Sequence, residues 1–377
     1  MARWNRRDDD NSEKYSKMRK RGKNTSRSKA LEDDFEKPES AWVVGGEDGS
    51  FAARVVEVHK RYAFVSREPV RGEVDTRDVW LATIARKLLT AERVERNFVA
   101  VGDRVFCTPA KEREIDLKTD LPQCVMQSLA PRTAKLARLD PHKPGLTHVL
   151  AANMDQLMVV ASYLNPTIKW GLIDRYLVLA ESENIPSIIV LNKRDLLVDD
   201  PVIAKQGAEM VEIYRGLGYP VFSVQANAPG AAAAPEFLAL KEHLLGKVTL
   251  LSGHSGVGKS SVVNLFKPEL VQPVEPDSNI FYKGRHTTSF ASFIRLGKDI
   301  GYAIDTPGIR QFGLWEIGAE ELRWYFNEFG QFSHGCPYAN CTHTHEPGCE
   351  VKEAVRRGDI PQARFDAYLR IRQSLLE

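Results

Sequence analysis

The chain has 377 residues, 43% of them hydrophobic and 27% charged, and a net charge of +2. That length leaves room for two or three domains, and the balance is that of a soluble globular protein. No apolar run is long enough to span a bilayer, the basic N-terminus lacks the apolar segment of a secretory signal, and five cysteines, three of them between 336 and 349, argue against a secreted disulfide scaffold. The expected location is the cytoplasm.

Residues 1–38 are polar, basic and nearly free of aliphatic side chains; the first thirty hold eleven Lys/Arg against four acids. Such a segment cannot bury a core and is expected to be a disordered arm. It is either a solubilising tail or an arm that neutralises nucleic-acid phosphates. Residues 39–132 read as short strands separated by Gly-rich or charged turns: Trp42-Val43-Val44, residues 51–58, residues 61–65, and a turn at Val101-Gly102-Asp103 entering another strand. This spacing predicts a small β-barrel, with an OB-fold as the expected form. Residues 78–98 are charge-rich and read as a helical insertion or long barrel loop. Cys107 and Cys124 read as core residues of the barrel.

From 133 to 315 strands and helices alternate, which predicts a parallel-sheet α/β domain. Strands are expected at 156–162, 187–191, 220–224 and 248–252, with helices at 172–183, 201–217 and 236–245. Gly253-His254-Ser255-Gly256-Val257-Gly258-Lys259-Ser260, followed by Ser261, fits the G-x-x-x-x-G-K-[ST] phosphate loop. Its backbone amides and the following helix N-terminus suit phosphates; Lys259 is expected to reach the β- and γ-phosphates and Ser260 to hold Mg²⁺. Asn192-Lys193-Arg194-Asp195 fits N-K-x-D, whose carboxylate accepts the two neighbouring donors of guanine but would face a lone pair on adenine. GTP is therefore expected over ATP. The base-reading motif precedes the phosphate loop by about sixty residues, the reverse of the usual order, so the domain is expected to be circularly permuted.

Asp305-Thr306-Pro307-Gly308 fits D-x-x-G, with Asp305 on Mg²⁺ through water and the Gly308 amide sensing the γ-phosphate. Between the two motifs, Lys283-Gly284-Arg285-His286-Thr287-Thr288-Ser289 reads as a switch loop, with Thr288 preferred over Thr287 as a Mg²⁺ ligand. Ile309 occupies the position after D-x-x-G and cannot orient water. His286 is the candidate for that catalytic role, against partner contact or simple loop polarity; Gln311 would require a rearranged loop. Ser223-Val224-Gln225-Ala226-Asn227 is a weak match to the S-A-x base loop.

Residues 316–377 read as a helical region interrupted by Cys336-x₄-Cys341-x-His343-x₅-Cys349, a closed Cys₃His set suited to structural zinc. His334 and His345 are less compact alternatives, and a disulfide would strand one thiol. Along the last helix Phe365, Tyr368 and Leu369 share a face, with Arg364, Arg370 and Arg372 read as a solvated basic face.

Taken together, the barrel, NKRD at 192–195, GHSGVGKSS at 253–261, GRHTTS at 284–289, DTPG at 305–308 and the Cys₃His cluster resemble the circularly permuted GTPases of small ribosomal subunit biogenesis, the RsgA (YjeQ) family. The resemblance runs from about residue 40 onward. It implies an OB-fold touching ribosomal RNA, a central GTPase, a zinc domain that docks on the subunit, and GTP hydrolysis stimulated by the small subunit late in its maturation. It also implies a water-positioning role for His286 and, by expectation, a monomer with no membrane association. Two alternatives stand beside it: a nucleic-acid-binding module with a structural nucleotide, and a permuted GTPase acting on the large subunit.

Overall fold

The computed structural model describes residues 49–59, 61–67, 78–85, 97–111, 121–139, 147–266, 291–297, 300–306 and 317–377. The N-terminal arm, Trp42-Val43-Val44 and the switch segment 284–289 lie outside the described residues.

Five strands close the barrel: β1 (Phe51–Val58), β2 (Ala63–Arg67), β3 (Val79–Ile84), β4 (Arg104–Pro109) and β5 (Gln123–Leu129). Their order is β1-β2-β3-β5-β4, with β4 returning to β1. β3 and β5 are parallel and the other pairs antiparallel. Alternate side chains fill the interior, among them Val55, Val65, Val105, Cys107, Cys124 and Met126. The expectation of a helical insertion at 78–98 is corrected here. Val79–Ile84 is a barrel strand that buries Val79, Leu81 and Ala82. The charged residues that follow it masked this short β-branched and aromatic run.

A two-stranded ribbon, β6 (Lys135–Leu139) and β7 (Thr147–Ala152), leads into the second unit. There β8 (Gln156–Ser162), β9 (Ser187–Asn192), β10 (Val221–Ser223), β11 (Lys247–Ser252), β12 (Ser292–Gly297) and β13 (Gly301–Asp305) form the order β10-β9-β8-β11-β13-β12. The strands are parallel except β12, which runs antiparallel to β13. β9 is buried at every position and β8 at all but one, as expected for strands covered on both faces. The intervening helices are α1 (Trp170–Ser182), α2 (Pro201–Gly216), α3 (Pro235–His243) and α4 (Lys259–Leu265). α2 starts where its sequence dictates: Pro201 takes the first turn, and the Asp200 carboxylate accepts from the Val202 and Ile203 amides at 3.1 and 3.0 Å.

Barrel and sheet share one surface. β12 pairs with β1 through Glu57 and Ser292, making the two a continuous eleven-stranded array. Beneath that pairing, Gly102 has φ +90°, and a Cβ there would stand 2.1 Å from the Ala152 carbonyl and 3.1 Å from Ile304. Only glycine allows this approach. The Gly102 carbonyl accepts from Asn153 Nδ2 at 3.1 Å, and Arg132 clamps the buried Asp103 with two bonds of 2.8 and 2.7 Å.

The C-terminal region is mainly helical, with α5 (Glu350–Arg357) and α6 (Gln362–Leu376) after several short turns. Phe326, Phe329 and Tyr368 form its aromatic centre. The solvated basic face expected of α6 is corrected at two positions, since Arg372 is largely covered and pairs with Glu320 at 3.3 Å and Arg364 departs further. Arg370 is exposed, but Arg364 is fully buried because two carboxylates lie within its reach. No helix among the described residues is long and apolar enough to cross a membrane.

Candidate functional site

β11 delivers the chain into the loop 253–258, and α4 begins at Lys259. Gly258 has φ +91°, and a Cβ there would stand 2.3 Å from Asn192 Nδ2, so glycine is required where the two loops meet. His254, Ser255 and Gly256 are exposed, Val257 is buried, and Ser260 and Ser261 lie in the first turn of α4. Lys259 Nζ donates to the carbonyls of Gly253 at 2.7 Å and His254 at 3.1 Å, crossing the mouth of its own loop. Asp305 ends the neighbouring strand, in register with Leu251. Burial raises its carboxyl pKa, and the Lys259 ammonium offsets only part of that rise.

β9 ends at Asn192, whose side chain ties three segments together. Its Nδ2 donates to the Val257 carbonyl at 3.0 Å, and its Oδ1 accepts from the Ala226 amide at 3.0 Å. Lys193 adopts φ 61°, and its ammonium donates to the carbonyls of Gly256, at 2.8 Å, and Asn165. The Arg194 amide donates to the Val224 carbonyl at 3.1 Å. Asp195 is exposed in the first turn of the short helix Arg194–Asp199. The motifs at 192–195 and 253–260 thus converge, and the weak S-A-x segment is held beside them through Ala226.

One contributor was not read from the sequence. The turn after β8 supplies the Asn165 carbonyl to Lys193, and Ser162 Oγ donates to the Pro166 carbonyl at 2.8 Å. The Asn165-Pro166 dipeptide directly after an apolar strand was the available signal. This turn, with Ile173 and Tyr176 of α1 and with Gly253 and His254, walls an apolar cleft beside the phosphate loop.

In the C-terminal region Cys336, Cys341, His343 and Cys349 bring their ligand atoms within 4.8 Å of one another. The distances are 3.9 Å between the sulfurs of Cys336 and Cys349, and 3.6 and 3.4 Å from those sulfurs to His343 Nδ1. A tetrahedral ion with sulfur at about 2.3 Å and nitrogen at about 2.0 Å gives edges of about 3.8 and 3.5 Å, so the donor set fits a metal ion. The second ring nitrogen lies 3.4 Å from Ser333 Oγ, which itself donates to the Phe329 carbonyl. Such outer contacts orient a ligating imidazole. Burial pushes the Cys341 thiol up to about 12, so a thiolate there calls for a cation. His334 and His345 are both exposed and stand outside the group.

A family model described as RsgA GTPase matches residues 129–315. A small ribosomal subunit biogenesis GTPase RsgA 2 from Bacteroides thetaiotaomicron is 37% identical over 72% of this chain and 83% of its own length. RsgA 1 from Vibrio parahaemolyticus is 41% identical over 73% of this chain and 74% of its own. The chain belongs to the RsgA GTPase family. Its fold agrees: YjeQ from Thermotoga maritima aligns with TM-score 0.63 at 32% identity, covering 87% of this chain and 99% of that one. YloQ, a circularly permuted GTPase, aligns with TM-score 0.62 at 25% identity, covering 86% and 95%.

As an RsgA GTPase the chain is a hydrolase acting on GTP. The nucleotide-end motifs described above lie at the carboxyl ends of β8, β9, β11 and β13, the edge at which open α/β sheets bind ligands. Three of the residues expected to act there, His286, Thr288 and Gly308, lie outside the described residues, as do the alternatives Thr287 and Gln311.

Proposed function

We propose that this chain is an assembly factor of the small ribosomal subunit whose GTPase activity is stimulated by that subunit. The observation that carries the reading is the Asn192 side chain, which bridges the N-K-x-D loop and the phosphate loop; one guanine nucleotide would then span both. In this reading Asn192, Lys193, Arg194 and Asp195 hold the base, with the Asp195 carboxylate as the guanine reader. Residues 253–261 cradle the phosphates, and Lys259 stabilises charge on them. Mg²⁺ travels with GTP and neutralises phosphate charge when bound; Ser260 and Thr288 would hold it directly and Asp305 through water. Gly308 senses the γ-phosphate, and His286 orients the attacking water.

The Cys₃His cluster takes one structural zinc. A site with four protein donors and no open position leaves the metal no substrate-binding role. The partner is inferred from the names of the relatives, which are small-subunit biogenesis GTPases. Barrel, GTPase and zinc region divide the chain near residues 132 and 315, and the factor works in the cytoplasm as a monomer. The barrel and the basic arm are assigned to ribosomal RNA, the arm by phosphate neutralisation.

Phosphate release from GTP, measured with and without separated ribosomal subunits, tests the proposal. Stimulation by small subunits alone is expected. Stimulation by large subunits would reassign the partner. No turnover under either condition would favour a nucleic-acid-binding protein with a structural nucleotide, and ATP competing as well as GDP would overturn the assigned base site.

A further inference from the structure

Helix α1 touches both the nucleotide end and the C-terminal region. Tyr176, buried on one side of α1, lines the cleft shared with Gly253 and His254. Across that cleft stand Gly253 and His254, the residues that follow Ser252 at the end of β11 and open the phosphate loop. Asp174 lies two residues away and so points to the far side of the helix. There it accepts from Arg364 Nη1 at 2.5 Å and from the Tyr214 hydroxyl at 2.9 Å. Arg364 belongs to α6, and its Nε donates to Glu328 at 2.6 Å while the guanidinium lies 4.6 Å over the Phe326 ring. Arg364, Asp174 and Glu328 are all buried.

A buried ion cluster is a poor source of stability, since desolvation offsets most of the attraction, yet it tolerates few arrangements. The planar guanidinium satisfies two carboxylates on different segments only when α6 sits on α1 in one pose. From this we infer that Arg364 is a positioning residue for GTP hydrolysis. It fixes α1 from the C-terminal side, and α1 carries that pose through Tyr176 to the root of the phosphate loop. The metal-cluster region and the nucleotide site are thereby joined through a helix that holds none of the guanine-nucleotide motifs. The inference rests on residues 253–260 being the phosphate loop.

The test is steady-state GTP turnover by the full chain, with thermal unfolding as the control for folding. Arg364→Met is expected to lower kcat about tenfold while KM changes less than about threefold, the signature of misplacement and not of lost binding. Arg364→Lys, which keeps the charge but loses the fork, should fall between. Tyr176→Leu leaves the ion cluster intact but shrinks the cleft wall and should lower kcat similarly, and the double variant should be no slower than the worse single one. If Arg364→Met does not fold, the neutral triple variant Asp174→Asn, Glu328→Gln, Arg364→Met replaces it. A folded Arg364 variant with wild-type kcat, or additive losses, overturns the inference, and so does wild-type kcat in folded Tyr176→Leu. Unchanged turnover in Lys259→Ala would overturn the phosphate-loop reading itself, and the inference with it.

Discussion

Asn192 and Val257 stand 65 positions apart in sequence and are joined by a 3.0 Å hydrogen bond from side-chain amide to carbonyl. The same amide group accepts from Ala226, so one buried side chain holds the base loop, the phosphate loop and the segment after β10 in register. Replacing Asn192 by Ala leaves a buried carbonyl and a buried amide without partners, at a cost of about 1–3 kcal/mol each. The three segments then lose their common tie. GDP and GTP affinity should both fall, by about 10- to 100-fold, because the defect lies in a scaffold both nucleotides use. Fluorescent-nucleotide titration checks this; a loss confined to GTP would show that Asn192 serves the γ-phosphate instead.

The barrel's seat on the sheet depends on Gly102. At φ +90° a side chain is strained, and the Ala152 carbonyl already occupies the Cβ position at 2.1 Å. Gly102→Ala must push the turn away from Ala152 and Ile304, the residue just before Asp305. A loss of at least about 2 kcal/mol is expected, with the barrel loosening first. Thermal unfolding together with hydrogen exchange at 51–67 and 147–152 measures it. An unchanged melting temperature would mean that the turn can relax without cost.

Much of this arrangement was legible in the sequence because short motifs carry their own geometry. The G-x-x-x-x-G-K-[ST] spacing requires a strand, a loop and a helix, and β11, the loop and α4 supply them. The Cys₃His spacing likewise selected the four residues that meet, since a tetrahedral set has little slack. What stayed hidden depends on long-range partners. The strand at Val79–Ile84 is recognisable only once β2 and β5 flank it. The burial of Arg364 depends on Asp174, 190 positions away, and no local pattern reports such a partner.

Glu346 gives the C-terminal region an acid-sensitive brace. Burial alone would raise its carboxyl pKa, but the Thr342 hydroxyl and the amides of Thr342 and Thr344 donate to it and hold it at about 2, below its ordinary 4.5. A carboxylate with a lowered folded pKa stabilises the fold fully above pH 4.5, and that contribution is lost as pH falls toward 2. Near neutrality Glu346→Gln should cost about 1–2 kcal/mol after allowance for solvent screening. The gap between wild type and variant should close between pH 4.5 and 2. Comparing the two proteins cancels any metal loss common to both. A gap that persists at pH 2 would show that the hydrogen bonds, and not the charge, carry the effect.

The proposed water-orienting role of His286 makes a kinetic prediction. The residue after D-x-x-G is Ile309, which has no hydrogen-bonding group, so the attacking water needs another partner. Phosphoryl transfer depends on positioning and charge stabilisation, and in the proposed function the His286 imidazole supplies that positioning. His286→Ala should therefore keep GDP affinity and lose turnover. A positioned group of this kind contributes about 10²–10⁴-fold, so a loss of at least about 10²-fold is expected with small subunits present. If the subunit completes the site, as proposed, the same variant should lose less without subunits. Single-turnover phosphate release under both conditions separates the cases. Equal losses would place the histidine in the intrinsic machinery, and full activity in the presence of subunits would assign the water to a group supplied by the partner.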